Sequence, residues 1–253
     1  KVLAFTLSKD FSNDLDRIYI GSLYHKIVAI KFIFQKYYSY DIIHIHGMGN
    51  IYLPIILLFK SKIFLKITME GQDDLISIKK KYSNFLFHII EKKIDVFIAL
   101  TSQIYKDNSF LSKKIVVIPN GVDEQVGLSK DISNKNIVYL GGSSTRKGHD
   151  VLKKLFLSGY FNDYELILLG YYNINEKIFW SKQKNVIFVG ITEKPQDYLR
   201  SSSFMFYWYI KEGLPNVLLE GISMKCKIIT NNDCLTFKNI LNYSKYIILN
   251  AKH

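Results

Sequence analysis

Short runs of β-branched and aliphatic residues alternate along the chain with longer stretches whose apolar positions recur at helical spacing. Runs that are apolar throughout are typical of strands buried on both faces of a parallel sheet. They predict strands at 2–7, 41–46, 62–68, 95–100, 114–119, 136–141, 165–170, 185–190, 203–208, 227–230 and 245–249. Helical patterns lie between them, at 22–38, 51–60, 74–93, 102–111, 148–159, 174–183, 195–202 and 215–225. This order predicts an α/β fold with parallel sheets.

The polar stretch at 118–136 interrupts the alternation. It contains Pro119, an Asn120-Gly121 turn and Gly127, followed by Ser, Lys, Asp and Asn with few apolar residues. Such composition is typical of a connection between domains. The chain of 253 residues is long for one domain and short for two full ones. We predict a first domain at 1–120, a linker at 121–135 and a second domain at 136–253.

The charge balance is basic, with 34 Lys and Arg against 22 Asp and Glu and a formal net charge of +12. A basic protein favours anionic partners, which include nucleic acid, lipid headgroups and phosphorylated small molecules. A codon bias towards Lys would give the same balance. The two cysteines, Cys226 and Cys234, do not have the spacing of metal ligands. We expect free thiols.

Two stretches, 23–40 and 78–93, combine lysines with large apolar residues at near-helical spacing. Such a face can lie on an anionic membrane, or its apolar stripe can be core and its lysines solvated. No signal peptide is visible, and the longest apolar run, 51–59, is too short to span a bilayer and contains Pro54. The sequence predicts a soluble or peripheral protein.

The stretch EGLPNVLLEG, residues 212–221, places two carboxylates around a predicted helix start. Pro215 suits a first helical turn, and the free N–H groups there form an anion site. Gly213 lets a ligand approach the backbone. Carboxylates accept paired sugar hydroxyls, so Glu212 and Glu220 are candidates for binding a nucleotide sugar. Alternatively, Glu212 only favours the helix dipole and Glu220 is a solvated helix residue.

Five blocks of the sequence resemble family 4 glycosyltransferases, which are retaining enzymes of the GT-B fold. EGLPNVLLEGISMKCKIIT (212–230) resembles the E-x7-E signature of this family. The other four blocks also resemble segments of the family and appear in the same order as in the family. They are DIIHIHG (41–47), LKITMEGQDD (65–74), VVIPNGVD (116–123) and VYLGGSSTRKGHDVL (138–152). The resemblance implies two Rossmann-like domains with parallel sheets that face across a cleft. The first would serve the acceptor, and the second would bind the nucleotide sugar.

The resemblance also implies an activity. It is that of a hexosyltransferase-type glycosyltransferase, EC 2.4, which moves a sugar with retention from a nucleotide-sugar donor, most commonly a UDP-sugar. The acceptor would be a hydroxyl of a glycan or lipid-linked glycan in bacterial surface polysaccharide synthesis. We expect no cofactor, no metal and no nucleic-acid partner. The resemblance suggests a cytoplasmic location, with peripheral contact to an anionic membrane at the inner face of the cytoplasmic membrane.

Residue roles follow from the matching motifs. Glu212 would orient the donor sugar, Glu220 would bind the ribose hydroxyls and Lys147 would stabilise the diphosphate leaving group. The candidate catalytic residues are Glu212, Lys147, Glu70 and His46. The candidate donor-binding residues are Gly142, Ser143, Arg146, Lys147, Glu212, Gly213, Leu214, Pro215, Asn216, Val217 and Glu220.

The sequence departs from the family pattern at two of these positions. Gly142 stands where the family usually has Arg, and Arg146 substitutes from a different direction or the diphosphate site is weaker. Glu70 stands near the place of a His, and it either contacts a sugar or caps the helix beginning near Asp74. Both ends of the chain are shorter than in the family, through compactness or truncation.

His44 and His46 lie on one predicted strand, and we expect their side chains to point to opposite faces. His46, at the carboxyl end of the strand, is the candidate for contact with acceptor or donor. His44 is expected to be a core or surface histidine.

Three rival functions remain. A non-catalytic fragment or partner subunit would bind a nucleotide sugar without transferring it. A dinucleotide-binding oxidoreductase would need a G-x-G-x-x-G after the first strand, where the sequence has no Gly. A basic nucleic-acid-binding protein would show salt-sensitive binding of oligonucleotides.

Overall fold

A computed structural model describes residues 3–6, 16–19, 31, 41–49, 52–58, 60–69, 71–112, 114–123, 135–208, 213–242 and 245–249. The chain divides into two compact units, Lys1–Pro119 and Asn120–His253. In each unit, the described strands pair in parallel.

The first unit contains two sheets. A two-stranded sheet pairs β1 (Leu3–Thr6) with β2 (Asp16–Tyr19). A four-stranded sheet follows the sequence order, with β3 (Ile42–His46), β4 (Lys62–Ile67), β5 (Val96–Ala99) and β6 (Ile115–Val117). Its helices are α1 (Leu53–Leu58), α2 (Leu75–Lys81), α3 (Asn84–Lys93) and α4 (Ser102–Asn108).

One face of the four-stranded sheet forms the core of this unit. Ile45, Ile63, Leu65 and Phe97 are buried there, with exposed fractions of 3% or less. The opposite face is more open, and it carries the exposed side chains of both His44 and His46, whose ring centroids lie 4.4 Å apart. The expectation that these histidines point to opposite faces was wrong. Residues two apart on a strand share a face, because side chains alternate with a period of two.

The predicted helix at 74–93 is two helices. Asp74 caps α2 by accepting from the Ser77 backbone N–H at 2.8 Å, and Ser83 caps α3 by accepting from the Leu86 N–H at 3.3 Å. The apolar spacing runs through both helices, so it did not reveal the break at Tyr82 and Ser83. Short polar side chains at these caps satisfy N–H groups that have no partner within the helix.

The second unit is built on a six-stranded sheet in the order β12-β11-β10-β7-β8-β9. The strands are β7 (Asn136–Tyr139), β8 (Glu165–Leu169), β9 (Val186–Gly190), β10 (Phe204–Phe206), β11 (Lys227–Asn231) and β12 (Tyr246–Leu249). The helices are α5 (His149–Leu157), α6 (Ile174–Trp180), α7 (Pro195–Ser201), α8 (Asn216–Ser223) and α9 (Lys238–Leu241). Two 3₁₀ turns, Thr145–Lys147 and Asn232–Phe237, complete it.

The strand order reverses in the middle of this sheet. From β7 the chain proceeds outward through β8 and β9, and it then returns to the other side of β7 with β10. In open α/β sheets, ligands bind beyond the carboxyl ends of the strands at such a reversal. The loops after β7 and β10 therefore define the candidate site of this unit.

Aromatic side chains dominate the core of the second unit. Tyr139, Trp180, Phe206 and Trp208 are each 3% exposed or less. The indole of Trp208 stacks on the ring of Phe206, with centroids 5.9 Å apart. Cys226 and Cys234 are buried free thiols, as predicted, and burial raises the pKa of Cys234 to about 11.

The predicted strands are confirmed, with ends that differ by one or two residues, and β2 is an additional strand that the pattern did not predict. The helix predicted at 22–38 lies outside the described residues apart from residue 31. Among the helices that the structure describes, none is long and apolar enough to cross a membrane.

Candidate functional site

The candidate site lies where β7 and β10 run side by side. Ile137 and Val138 pair with Phe204 and Met205, so the loops that follow the two strands leave the same edge of the sheet. The first loop, 140–148, leads through a 3₁₀ turn into α5, and the second leads into α8. We call residues 140–148 the β7 loop.

The β7 loop begins with a close approach to the loop after β8. Gly142 has a positive φ of 58°, and a Cβ built on it would lie 2.2 Å from the Tyr171 carbonyl oxygen. Its N–H donates to the Leu169 carbonyl at 3.0 Å, and the Ser143 N–H donates to the Tyr171 carbonyl at 2.8 Å. On the facing turn, a Cβ on Gly170 would lie 2.7 Å from the Gly142 nitrogen. No side chain fits between these two turns as they stand.

This packing gives the departure at Gly142 a structural reason. An Arg at this position would have to displace the backbone of Tyr171 and would also take up an unfavourable left-handed conformation. Ser143 is likewise engaged with the β8 loop, because its Oγ accepts from the Asn173 N–H at 3.2 Å. Its N–H is also engaged, so Ser143 supports the shape of the β7 loop.

The β7 loop ends at Lys147 and Gly148. The Tyr139 hydroxyl donates to the Lys147 carbonyl at 3.2 Å, which fixes the backbone where the Lys147 side chain departs. Arg146 is exposed and Lys147 is partly exposed. Gly148, with a φ of 77°, is the N-cap of α5 and packs against Trp208. The loop thus presents two cationic side chains directly before a helix start, an arrangement that suits an anionic ligand.

A buried polar clamp holds the start of α5 against α6. His149, the first residue of α5, accepts a hydrogen bond at Nε2 from the Trp180 indole N–H at 3.0 Å. Glu176 lies 3.5 Å from the same imidazole nitrogen, and Lys153 donates to Glu176 at 2.8 Å. His149 and Lys153 are one helical turn apart, as are Glu176 and Trp180, so two side chains from each helix meet.

The clamp requires a neutral imidazole. Burial lowers the pKa of His149, Lys153 lowers it further, and Glu176 and Asp150 act in the opposite direction. An imidazolium would have no lone pair at Nε2 for the Trp180 N–H. The His149 proton therefore belongs on Nδ1.

The β10 side of the site is described from Gly213 onward, and Glu212 lies outside the described residues. Leu214 is 4% exposed, and its carbonyl accepts from the Asn120 side-chain amide at 2.9 Å. This bond connects the IPNG segment with the GLP motif. Pro215 is the N-cap of α8, one residue before the helix start.

Three candidate residues lie in α8, namely Asn216, Val217 and Glu220. Asn216 is exposed, whereas Val217 and Glu220 are half-buried. Burial raises the pKa of the Glu220 carboxyl group. A carboxylate with few competing waters is a good acceptor for sugar hydroxyls.

In the first unit, the candidate residues lie at the end of β3 and in the loop after β4. Burial lowers the pKa of His46, and the neighbouring His44 and Lys66 lower it further. Glu70 lies outside the described residues. The capping role that was its alternative is performed by Asp74, which caps α2. The role of His46 at the acceptor or donor stays a prediction.

Asp73 organises this part of the first unit, although sequence reasoning did not single it out. Its carboxylate accepts from the Met69 N–H at 2.7 Å and from the Thr68 N–H at 3.1 Å. It also packs against Gly47, whose Cβ would lie 2.8 Å from Asp73 Oδ2. Burial raises the pKa of Asp73. The signal in the sequence was the pair of acids in GQDD directly before a helix pattern.

Tyr139, Trp180 and Asn120 were also missed by sequence reasoning. Trp180 and Asn120 act through hydrogen bonds to distant parts of the chain, and Tyr139 acts through a bond to the Lys147 carbonyl. The spacing of apolar residues carries no signal for such partners. In the part of the chain that the structure describes, no three His, Cys, Asp or Glu side chains are placed to hold a metal ion. The expectation that no metal is needed stays a prediction.

The sequence of residues 134–248, which includes the β7 loop and α8, matches the family of group 1 glycosyl transferases. The match covers 115 of the 253 residues and makes this segment similar to a group 1 glycosyl transferase domain. No curated protein matches the sequence of the chain.

Solved structures share the fold of the chain. The glycosyltransferase WaaG, involved in lipopolysaccharide biosynthesis, is similar with a TM-score of 0.66 and 12% identity over 99% of this chain and 78% of WaaG. A TarM mutant from S. aureus in complex with UDP has a TM-score of 0.63 and 18% identity over 82% of this chain. HepE from Anabaena in complex with UDP-glucose has a TM-score of 0.58 and 14% identity over 87% of this chain and 66% of HepE.

These similarities show the α/β fold of GT-B glycosyltransferases, with two units of parallel sheets. The chain spans 45% of the length of TarM.

A comparison of three glycines tests the close approach at Gly142. In Gly121→Ala the new Cβ has no neighbouring atom within 4 Å. In Gly190→Ala the nearest atom, on the Phe188 ring, is 3.7 Å away, but the backbone keeps a positive φ of 77°. We expect a change within about 0.5 kcal/mol for the first and a loss of about 1 kcal/mol for the second. Gly142→Ala combines strain with overpacking and should lose about 3 kcal/mol in urea denaturation. A loss equal to that of Gly190→Ala would show that the Tyr171 backbone yields freely.

The clamp predicts a pH dependence of stability. The unfolded chain binds a proton at His149 near the usual pKa of about 6.5 and the native clamp binds it only at lower pH, so stability falls as pH drops below that value. His149→Gln removes this titration. Between pH 7 and pH 5 the variant should lose less stability than the wild type, measured by urea denaturation. Equal losses in both proteins would contradict a neutral His149.

Proposed function

We propose that the chain is a retaining glycosyltransferase. It moves a sugar from a nucleotide sugar, with a UDP-sugar as the favoured donor, to a hydroxyl of a glycan or lipid-linked glycan. In this proposal the reaction is a step in the synthesis of a bacterial surface polysaccharide. One observation carries the proposal. The β7 loop, which ends in Lys147 and a helix start, lies at the strand-order reversal of the segment that matches group 1 glycosyl transferases.

The chemistry of this loop suits a nucleoside diphosphate. The loop is fixed by hydrogen bonds at Gly142, Ser143 and the Lys147 carbonyl, so its cationic end needs no rearrangement to meet an anion. Fixed positive charge lowers the barrier when it faces the charge that develops on a leaving group. The UDP in the TarM complex and the UDP-glucose in the HepE complex support a uridine nucleotide donor.

In this proposal each residue acts on a different part of the donor. Lys147 pairs with the diphosphate as the sugar departs, and the backbone around Leu214 to Val217 holds the diphosphate and sugar. The half-buried carboxylate of Glu220 accepts the ribose hydroxyls. Glu212 orients the donor sugar. The acceptor hydroxyl attacks on the face that the diphosphate leaves and gives its proton to the diphosphate, so configuration is retained.

The first unit serves the acceptor in this proposal. His46 stands at the carboxyl end of β3, and its lowered pKa keeps the imidazole neutral near pH 7. A neutral imidazole can both donate and accept a hydrogen bond, which suits a sugar hydroxyl. Glu70 is a candidate for the same acceptor.

A second candidate function is a non-catalytic subunit that holds a nucleotide sugar. The packing at Gly142 favours this alternative, because it excludes the Arg that the family usually places there. Binding and transfer must therefore be measured separately.

The deciding experiment combines a thermal-shift screen with a transfer assay. A ligand that binds only the native state raises the melting temperature. We expect one nucleotide among UDP, GDP and ADP to raise it, and that nucleotide's labelled sugar conjugates to be consumed in the presence of lipid-linked glycan acceptors. Binding without transfer to any acceptor would support the non-catalytic subunit, and no binding of any nucleotide would contradict both functions.

Two variants with matched controls test the residue roles in the same assays. Lys147→Ala should lower the transfer rate by about 100-fold, the typical loss when one group that stabilises developing charge is removed. Glu220→Gln should weaken donor binding by about tenfold, because it replaces a charged hydrogen-bond acceptor. Lys154→Ala on the exposed side of α5 and Glu165→Gln at the exposed start of β8 should leave both properties unchanged. Equal effects of a variant and its control would remove that residue from the site.

We further propose that the protein works at the inner face of the cytoplasmic membrane through the basic surface of α2 and α3. Lys79, Lys80 and Lys81 end α2, Lys92 and Lys93 end α3, and all five are exposed. Phe85 at the start of α3 is 77% exposed. Exposed cationic side chains on the same two helices as an exposed aromatic ring suit an anionic lipid surface.

Vesicle flotation tests this surface. The wild type should float with vesicles of anionic phospholipid, and replacement of Lys79, Lys80 and Lys81 by Gln should reduce the bound fraction by about tenfold or more at low salt. The control replaces Lys182 and Lys184 of the second unit by Gln. Similar losses in both variants would indicate attraction through net charge and would contradict a specific surface.

A further inference from the structure

The chain contains two tryptophans, and their indole N–H groups have different environments. Both side chains are buried, with exposed fractions of 0% for Trp180 and 3% for Trp208. The Trp180 N–H donates to His149 at 3.0 Å. The Trp208 N–H is buried without a hydrogen-bond partner, one of three such side-chain atoms among the described residues.

Trp208 lies at the β7 loop. It follows the end of β10 by two residues, and a Cβ built on Gly148 would lie 2.2 Å from Trp208 Cβ and 3.1 Å from its Cδ1. Because Cδ1 is bonded to Nε1, the unpartnered N–H is beside the turn that joins Lys147 to α5. The other two unpartnered atoms are hydroxyls of Ser202, at the opposite end of β10, and of Tyr172, packed on the rings of His149 and Phe188.

A buried N–H without a partner destabilises the unliganded fold, because its hydration has been lost and nothing replaces it. Such groups are rare in native structures, and a ligand that supplies the acceptor removes the penalty. An indole N–H can only donate, so its partner must be an acceptor. Beside Lys147 and the N-terminus of the nine-residue helix α5, the favoured acceptor is an anionic oxygen.

We propose that the Trp208 indole N–H donates a hydrogen bond to a diphosphate oxygen of the bound nucleotide sugar, beside Lys147. This inference rests on the proposed function. It gives the diphosphate a neutral hydrogen-bond donor from the segment after β10, in addition to the cationic side chains of the β7 loop. Phe206 and Gly148 hold the indole on two sides, and because Nε1 is covered in the unliganded protein, the groups that cover it must move aside when the oxygen binds.

Trp208→Phe tests the assignment, because phenylalanine keeps an aromatic ring and removes only the donor-bearing part. Binding of UDP, GDP and ADP is measured by calorimetry for the wild type and the variant, with uridine, guanosine and adenosine as ligands that lack phosphate. For the nucleotide that the wild type binds, we expect the affinity of the variant to be about tenfold lower, the typical effect of one hydrogen bond to a charged group. Affinity for the matching nucleoside should not change.

Trp180→Phe is the matched variant. It removes an indole N–H that already has a partner, so it should lower the melting temperature of the unliganded protein. Trp208→Phe should lower that temperature less, because both variants leave a cavity but only the Trp180 variant also loses a hydrogen bond. This contrast separates a donor reserved for a ligand from an ordinary buried tryptophan.

Fluorescence gives a second readout that needs no change at Trp208. In Trp180→Phe, Trp208 is the only tryptophan, and its emission should change as the nucleoside diphosphate binds. An unchanged emission at a saturating concentration would overturn the assignment, even if Trp208→Phe failed to fold.

The failures of the two proposals are distinguishable. If the wild type binds a nucleotide and Trp208→Phe binds it equally well, the role of Trp208 is wrong and the proposed function stands. If the wild type binds none of the three nucleotides by calorimetry or by thermal shift, the proposed function is wrong and the role of Trp208 falls with it.

Discussion

The candidate site depends on the contact between two backbone turns at the carboxyl edge of the six-stranded sheet. Gly142 and Gly170 meet where even a methyl group would collide with the opposite turn, and the N–H groups of Gly142 and Ser143 bond to the β8 side. Because backbone packs directly on backbone, steric contact and these hydrogen bonds set the path of the β7 loop. The direction in which Lys147 leaves the sheet follows from that path. A loop fixed in this way loses little entropy when a ligand binds.

The far end of the loop is fixed by neutral groups. Tyr139 holds the Lys147 carbonyl with a hydroxyl, and the neutral imidazole of His149 holds the helix start through Trp180. The nearby carboxylate of Glu176 is paired with Lys153. These supports place no unpaired charge beside Lys147, and Asp150 is the acidic residue in the first turn of α5. Charge at this edge can be directed at a ligand.

Most of the fold could be predicted from the sequence, because strands that are buried in parallel sheets have unbroken apolar sequences. VYLGG and LILLG predicted β7 and β8 and also the glycines at their ends. The strand β2 was missed because DRIY is short and half polar. The break at Ser83 was missed because the apolar spacing continues through it. The candidate site was predicted as motifs, and Lys147, Gly148 and Pro215 do stand at turns and helix starts.

The supports of the site could not be predicted in the same way. The bond from Trp180 to His149 spans 31 positions and that from Asn120 to Leu214 spans 94. No local pattern encodes either partner, because each is brought near by strand order. The error at His44 and His46 was of another kind. The alternation of side chains along a strand was sufficient to place both on one face, and it was misapplied.

The excluded Arg at Gly142 bears on how catalysis and binding divide in this protein. Interactions accelerate a reaction only if they are stronger in the transition state than in the ground state. A cation meets that condition at a departing diphosphate, whose negative charge grows as the glycosidic bond breaks. A neutral hydrogen-bond donor such as an indole N–H gains less from that growth, and it therefore contributes mainly to binding the nucleotide sugar. Without a cation at position 142, the site should retain affinity for its donor better than it retains rate.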